Sequence, residues 1–460
     1  MRRREIVRDP KFRLLDKDND DIVYPSVAPE LAFPLLNLRK PVLALDIFLS
    51  FIDSKLIQKI WDHGLQQDSL YWTYAKGKPK DNRTIGEGKC DLQTIYAFLA
   101  YQLRIIGLQN KPSESNPTVE PLQNSYREAR NHFGNMLFGE RFNASETCIG
   151  LPGIKICKHL NGHFLINHLF YDDLSVNFRK VIKRFGEFVA GDEKLFRFTG
   201  MGEHLRQVLS KPGKIGHWIY ELCCKLDDDT VYLVDIKAHW CDPNIEASIH
   251  TSDIVIRWVN IATETGGEDA NADCMTVADS YYLAKKAREF IVEKKKRFLG
   301  AMTKNRFEGI CDYLGGKANK RGQWDGVIKE EAPTEVVIKA FDTHPNIKEP
   351  KYTYSNGFLH HKRRPPNQAK TIPLYSHYKH MFSLCDRFNR NLNDRKWPHK
   401  WGGRSTKGEQ GNLHGFAISA LVQNVMTLYF HINDEEIDTF KNFVCSLADD
   451  LARYSLTLIK

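Results

Sequence analysis

The sequence has 460 residues, of which 42% are hydrophobic and 27% charged, with 66 Lys and Arg against 57 Asp and Glu for a net charge of +9. With 30 Gly, 19 Pro and no sustained heptad pattern, this composition excludes collagen, a long coiled coil and a wholly disordered chain. The length is typical of about three domains and is enough for at least one large buried core.

The cysteines and the apolar stretches indicate a compartment. Ten cysteines are spread along the chain with no CxxC pair, which argues against a disulfide framework or a zinc ribbon. No apolar segment follows the basic residues after Met1, so we expect no secretory signal peptide. The longest apolar stretch, residues 416–432, is interrupted by polar side chains and predicts a buried core helix. These features are typical of a soluble protein in a reducing intracellular compartment.

The first part of the chain has mostly helical periodicity. Residues 1–40 contain four prolines and little periodicity, which predicts an arm that lies over the surface. Apolar residues then recur at helical spacing in residues 43–61, 91–107, 121–138 and 161–186. We therefore predict a helical region over residues 41–186.

From residue 187 onwards the period changes to that of strands. Strands are predicted at residues 187–198, 274–278 and 334–341, and a hairpin at residues 217–239. Helices are predicted at residues 280–297, 375–391, 413–432 and 433–458. The last of these begins with an Asn-x-x-Glu capping box at Asn433. Residues 300–370 mix strand-like pieces with basic loops and predict an inserted subdomain.

Positive charge is concentrated in residues 346–410, which hold 14 Lys and Arg against four Asp and Glu for a net charge of +10. Aromatic residues, among them Tyr375, Trp397 and Trp401, alternate with these cations, a mixture suited to neutralising phosphates and stacking on bases. A solvated basic loop is the alternative interpretation. The concentration of charge favours a polyanion partner, first of all a nucleic acid.

Three aspartates are candidate metal ligands by position. Asp192 lies in the first predicted strand, Asp279 ends a later strand and Asp386 lies on a helix behind the insertion. Carboxylates on neighbouring strands and a facing helix can hold two Mg²⁺ ions, which activate a water or hydroxyl and stabilise the leaving oxygen of a phosphodiester. Because the chain has 57 acidic residues, surface carboxylates remain the alternative interpretation. Asp235, within the hairpin, is expected to pair with a neighbouring cation.

Around these aspartates the chain resembles the piggyBac family of cut-and-paste DNA transposases and their domesticated relatives. The stretch GDEKLFRFTG at residues 191–200 is similar to a family strand that carries Asp-Glu before aromatic and basic residues. KPGKIG at residues 211–216 resembles the family's Lys-Pro-x-Lys-x-Gly turn, and DSYYLA at residues 279–284 resembles its Asp-Asn-aromatic-aromatic strand end. GAMTKNR at residues 300–306, then residues 378–386 and 396–398, resemble the remaining motifs in the family's order.

The resemblance implies an α/β fold with a ribonuclease H-like catalytic core and an inserted subdomain, embedded in a mainly helical dimerisation and DNA-binding domain. The implied parts are an N-terminal arm (1–40), a first helical region (41–186), the core (187–299 and 371–392), a basic insertion (300–370) and a second helical region (393–460).

The resemblance also implies a Mg²⁺-dependent or Mn²⁺-dependent enzyme that cleaves and joins DNA at transposon ends, with TTAA as target. The implied catalytic residues are Asp192, Asp279 and Asp386, and the metal ligands are these three with Asn389. The expected DNA contacts are Lys362, Arg363, Arg364, Arg387, Arg390, Arg395, Lys396, Trp397 and Arg404. The implied partners are double-stranded DNA and a second copy of the chain, with no membrane, and the expected location is the nucleus.

Several residues depart from the family pattern. Asn389 falls where the family has a fourth acid, Ser280 replaces the Asn after the second aspartate, and no zinc domain is expected after Cys445. Replacing an acid by Asn removes one negative charge but keeps a neutral oxygen ligand. A domesticated nuclear DNA-binding protein without catalysis is therefore an alternative. A protein whose basic segment binds RNA is a further one.

Overall fold

The strands and helices of this chain are taken from a computed structural model. The structure describes residues 12–14, 20–22, 28–31, 41–59, 92–108, 170–197, 205–207, 215–226, 230–239, 250–266, 274–302, 314, 319–321, 323–329, 335–341, 348–356, 359–361, 373–394, 409–434 and 439–458. The predicted helix at residues 121–138 lies outside this set.

From residue 170 onwards the described elements include runs of strands as well as helices. The strands are β1 (Phe12–Leu14), β2 (Asp20–Ile22), β3 (Glu30–Leu31), β4 (Ile182–Arg184), β5 (Phe188–Arg197), β6 (Arg206–Gln207), β7 (Ile215–Lys225), β8 (Val231–Ala238), β9 (Met275–Ala278), β10 (Arg297–Met302), β11 (Trp324–Lys329), β12 (Val336–Ala340), β13 (Lys351–Ser355) and β14 (Leu359–His361). The helices are α1 (Ala44–Phe51), α2 (Leu92–Leu108), α3 (Asp172–Lys180), α4 (Thr251–Glu264), α5 (Lys285–Glu293), α6 (Pro373–Asp394), α7 (Glu409–Asn433) and α8 (Phe440–Thr457).

Ten of the described strands form one mixed sheet. Its order is β1-β11-β12-β13-β10-β9-β5-β7-β6, and β8 also pairs with β7. β9 runs parallel to both of its neighbours, β5 and β10, and the other described pairings of the sheet are antiparallel. Three of the strands, β11, β12 and β13, belong to the predicted insertion. The fold is therefore mixed α/β, and these three strands continue the sheet that carries Asp192, whereas β14 pairs with β2 in a separate sheet.

Helices cover both faces of the sheet at β5. Neighbouring strand residues point to opposite faces, and the Trp258 ring of α4 lies against Gly191 and contacts the Tyr220 ring. Asn389 of α6 bonds to Glu221, the next residue along β7 and therefore on the opposite face. Because both faces are covered, β7 and β8 are apolar along most of their length.

Helices from both ends of the chain pack together beside the sheet. α2 packs against α8, and α1 packs against both α7 and α8. The amide of Asn424 on α7 bonds to both backbone groups of Leu233 on β8, at 3.0 Å and 2.8 Å. Residues Gly415–Asn433 of α7 are long and apolar enough to span a membrane, but 83% of the window is buried inside the protein. The predicted core helix at residues 413–432 is therefore confirmed.

The predicted strands are confirmed, whereas several helix limits are wrong. Residues 279–282 form a turn, so the helix predicted at residues 280–297 covers only α5. Residues 182–184 are a strand paired with β3, so the helix predicted at residues 161–186 ends with α3. The helix predicted at residues 43–61 is interrupted at Ile52, and Asp53 caps a second helical segment by accepting a hydrogen bond from the Leu56 N–H.

The predicted capping box at Asn433 is also wrong. Asn433 is the last residue of α7, and its amide bonds to both the N–H and the C=O of Val42, at 3.0 Å and 2.9 Å. α8 begins later, at Phe440, and its N-cap is Thr439, whose hydroxyl accepts from the Asn442 N–H. No helix is predicted for residues 251–264, which form α4, although Ile254, Trp258 and Ala262 are spaced as an apolar face.

Asp235 of β8 pairs with cations, as predicted. Its carboxylate is buried and accepts from Arg257 at 2.6 and 2.7 Å and from Arg179 at 3.1 Å. Burial by itself raises the pKa of Asp235, but Arg257, Arg179 and Lys237 outweigh burial and hold that pKa below its usual value. The cluster joins α3, α4 and β8 and is structural.

We expect Asp235→Asn to lower the free energy of unfolding by about 3 kcal/mol, because it breaks a buried ion pair and leaves two arginines without their carboxylate. Urea denaturation of the full chain measures the change. Asp450→Asn is the matched control, since Asp450 pairs with Arg453 on an exposed face of α8 and its loss should change stability little.

The loss of stability caused by Asp235→Asn should depend on pH. Because the pKa of Asp235 is lower in the folded than in the unfolded protein, ionised Asp235 stabilises the fold fully above its unfolded-state pKa. This stabilisation is lost as the pH falls through the folded-state pKa of Asp235. The stability difference between wild type and Asp235→Asn should therefore narrow only below about pH 4. A difference that stays constant down to pH 2 would contradict this assignment.

Candidate active site

Asp192 and Asp279 occupy matching positions on adjacent parallel strands. The β5–β9 pairing runs in register from Phe188 opposite Met275 to Gly191 opposite Ala278. The next residue of β5 is Asp192, which points to the face of the sheet opposite to that of Gly191. The residue after β9 is Asp279, which begins a turn, so the two aspartates follow the last paired residues of adjacent strands. Both side chains are partly exposed. The sequence predicted a strand for Asp192 and a strand end for Asp279, and both placements are confirmed.

Asp386 lies on α6, which packs across this face. Its neighbour Cys385 is fully buried and donates through Sγ to the Ala190 carbonyl over 3.1 Å, two residues before Asp192. Asp386 itself is exposed. The contact sets the third predicted aspartate beside the strand that carries the first.

A fourth carboxylate, which the sequence motifs do not indicate, lies on the same face as Asp192. Glu221 of β7 is directly opposite Asp192 in the antiparallel β5–β7 register and is fully buried. The Asn389 amide of α6 donates to Glu221 Oε2 over 2.6 Å. In the sequence, Glu221 is recognisable only as a single acid within the apolar run of β7. That it lies opposite Asp192 follows only from the strand register.

The thiols near these carboxylates are not candidates for catalysis. Burial raises the pKa of the Cys385 thiol well above its usual range, and contact with Cys223 and the nearby carboxylates of Asp192 and Glu221 raise it further. Burial likewise raises the pKa of Cys223. Because the thiolate is the reactive form, both cysteines remain neutral core residues.

Side chains on the face of the sheet opposite to that of Asp192 hold the turn that follows Asp279. The Tyr282 hydroxyl donates to Glu193, the residue after Asp192. Tyr282 also contacts the rings of Trp258 and Tyr220. Asp279 Oδ1 accepts from the Ser280 N–H within the turn. The turn after β9 is thus tied to β5, which limits movement between the first two aspartates.

A comparison of structures identifies the fold. No protein-family profile and no curated protein sequence matches the chain. A cryo-EM structure of a piggyBac transposase in a synaptic complex with hairpin DNA matches it over 94% of this chain and 84% of that chain, with a TM-score of 0.64 and 13% sequence identity. The chain has the fold of a piggyBac transposase. This match agrees with the resemblance of the sequence motifs.

The donors on this piggyBac fold have the right chemistry for Mg²⁺, which prefers carboxylate and amide oxygens. They are not gathered tightly: within the described parts of the chain, no group of three or more His, Cys, Asp or Glu side chains is arranged to hold a metal ion. Asn389 contributes a buried amide oxygen, Oδ1, that has no hydrogen-bond partner there. These residues therefore match a Mg²⁺ site in the type of their donor atoms and in the strands and helix that carry them.

Two of the predicted DNA-contacting cations lie on α6 of the piggyBac fold. Arg387 and Arg390 follow Asp386 within about one helical turn, Arg387 partly exposed and Arg390 exposed. The remaining predicted contacts lie outside the described residues, and they are Lys362, Arg363, Arg364, Arg395, Lys396, Trp397 and Arg404.

We expect Gly191→Ala to destabilise the protein by about 1–3 kcal/mol, the usual range for overpacking. A Cβ at Gly191 would lie 2.3 Å from the ring of Trp258, which is fully buried and cannot move aside freely. Chemical denaturation measures the effect. In a Trp258→Leu background the added methyl group has room, so the same substitution should cost less there, and an equal cost in both backgrounds would refute this packing.

Proposed function

We propose that this chain is a cut-and-paste DNA transposase that cleaves and joins DNA strands at transposon ends. The observation that carries the proposal is the acid-bearing face: Asp192 and Asp279 at matching positions of parallel strands, with the Asp386 helix packed across them, on a fold like that of piggyBac transposase. The strands and helices around this face would be a ribonuclease H-like core, and the packed helices beside it a DNA-binding and dimerisation region.

In the proposed mechanism Asp192, Asp279 and Asp386 would hold Mg²⁺ or Mn²⁺, with the Asn389 amide oxygen as a neutral ligand. The bound ion would supply the positive charge that activates a water or a DNA 3′-hydroxyl and stabilises the leaving oxygen of the phosphodiester. The tie between Tyr282 and Glu193 keeps the Asp279 turn in place. Arg387 and Arg390 neutralise DNA phosphates beside Asp386 and hold the backbone near the carboxylates.

The remaining features of the proposal come from the motif resemblance. They are a TTAA target, assembly as a homodimer on two DNA ends, and a nuclear location. The similar transposase structure is described as a synaptic complex with hairpin DNA, which supports a DNA partner for this chain as well.

A second candidate function is a transposase-derived nuclear DNA-binding protein without catalysis. Two observations favour it: Asn389 in place of the family's fourth acid, and the absence of a gathered metal-binding group among the residues described here. Such a protein would keep the basic residues of α6 and bind DNA in a salt-sensitive way.

We expect Asp192→Asn, Asp279→Asn and Asp386→Asn each to abolish Mg²⁺-dependent nicking of duplex DNA that carries the element's own terminal sequences. Asn has nearly the same shape as Asp but lacks the negative charge that would hold the metal. Binding to the same DNA should persist. Asp253→Asn is the matched control, since Asp253 pairs with Lys286 on an exposed surface. Tight DNA binding without cleavage by the wild-type protein would reject the enzyme in favour of the second candidate.

We expect Arg390→Ala to reduce the slope of log K against log salt for DNA binding by about 0.9, the contribution of one phosphate contact. Fluorescence anisotropy over a salt series measures this slope. Lys285→Ala is the control, because Lys285 is well exposed on α5, away from the acid-bearing face. Equal slopes for wild type and Arg390→Ala would remove α6 from the DNA-binding surface.

A further inference from the structure

A row of aromatic rings leads from the core to the surface beside Asp279. Trp258 and Tyr282 are both fully buried, and their ring centroids are 4.9 Å apart. Tyr282 contacts the edge of the Tyr281 ring at 5.6 Å, and Tyr281 in turn contacts the ring of Trp218 at 6.4 Å. Because Tyr281 is 50% exposed, the row of buried rings ends in a ring that is half open to solvent.

The exposed ring of Tyr281 is held in place by its neighbours. Tyr282 contacts it from within the same turn, and Trp218 contacts it from β7. An exposed side chain without such contacts changes rotamer within nanoseconds. A ring that is already fixed loses little conformational entropy when a ligand binds. The Tyr281 ring therefore suits a flat aromatic ligand, which gains most from an offset or stacked contact with another ring.

Positive charge is concentrated in the part of the chain that flanks this ring. Arg206 of β6 is opposite Gly216 of β7, so it lies on the same face of the sheet as Trp218, two residues further along β7. Arg206 is exposed, and its guanidinium lies 2.5 Å from His239 Nε2. Residues 205–216 contain no acid and three cations, which are Arg206, Lys211 and Lys214. Aromatic rings beside cations fit a ligand that is both aromatic and anionic, as a nucleotide is.

The ring also lies next to the candidate active site. Tyr281 is the second residue after Asp279, and two residues span at most about 7 Å of chain. The hydrogen bond from Tyr282 to Glu193 ties this turn to β5, so the ring keeps its place relative to Asp192. A DNA strand with a phosphate at the acid-bearing face would therefore bring a neighbouring nucleotide to Tyr281.

We infer that Tyr281 and Trp218 form a stacking site for an unpaired nucleobase of the DNA strand at the acid-bearing face. The inference rests on the proposed function and extends it to the nucleotides beside the cleaved bond. Both faces of a base within a duplex are covered by its neighbours, so a ring can stack only on a base that has left the duplex. Every base has such a face, so the site recognises unpaired DNA of any sequence.

The experiment measures binding of a short oligothymidine to the full chain, without divalent metal, by fluorescence anisotropy. Tyr281→Ala should weaken this binding by about 5- to 150-fold, the usual loss when a stacked base loses its aromatic partner. Tyr281→Phe keeps the ring and should retain the affinity. Val176→Ala is the matched control, because Val176 is 44% exposed on α3. Unchanged affinity in Tyr281→Ala would overturn the inference.

An abasic oligonucleotide of the same length separates stacking from attraction to phosphates. It carries the same charge but no bases, so the wild-type protein and Tyr281→Ala should bind it equally well. If Tyr281→Ala loses the same affinity for both oligonucleotides, Tyr281 contacts the DNA backbone and the stacking site is rejected.

Nicking of duplex DNA distinguishes a failure of this inference from a failure of the proposed function. Wild-type protein that nicks duplex DNA but does not bind oligothymidine would keep the enzyme and reject the stacking site. Ring-dependent binding of oligothymidine by a protein that does not nick would keep the stacking site and reject the enzyme. If Tyr281→Ala instead changes the sedimentation of the protein without DNA, a second copy of the chain covers the ring, and the inference is wrong.

Discussion

The parallel pairing of β5 with β9 determines where the first two aspartates of the candidate site lie, because it ends at Gly191 opposite Ala278 and an aspartate follows each of these residues. Side chains along a strand alternate between faces, so a slip of one residue would turn one carboxylate toward α4 and away from α6. Trp258 helps to prevent such a slip. Its ring fills the space beside Gly191, where a larger side chain would not fit.

Two of the buried carboxylates at the sheet, Asp235 and Glu221, have different kinds of partner. Asp235 is held by two arginines and joins three elements, which suits a structural role. Glu221 instead meets a neutral amide and lies near the neutral thiols of Cys223 and Cys385.

Much of this fold follows from local patterns in the sequence. The spacing of apolar residues predicts the strand that carries Asp192, the strand that precedes Asp279, the hairpin and the Asp386 helix. Asp235 could be assigned a cation partner because a lone acid in an apolar strand requires one. These predictions needed only residues close together in the chain.

The features that the sequence did not predict depend on contacts between residues that are far apart in the chain. Asn433 resembles a helix cap, but its amide bonds to Val42 at the other end of the chain. The importance of Glu221 depends on the register of β5 with β7 and on the position of α6, and a bulge between Leu222 and Cys223 shifts the hairpin register just beyond it. No local period encodes strand order, so the contact between Asn389 and Glu221 is visible only in the three-dimensional structure.

The strand β1 has a consequence for how the chain folds. It forms one end of the large sheet, where Phe12 pairs with Lys329 and Leu14 with Val327. Unpaired edges of sheets recruit other chains, so β1 protects β11 from intermolecular pairing. During synthesis β1 must wait until β11 has emerged, and contacts of such long range form slowly. Until then β11 has an open edge, which leaves it available for pairing with other chains.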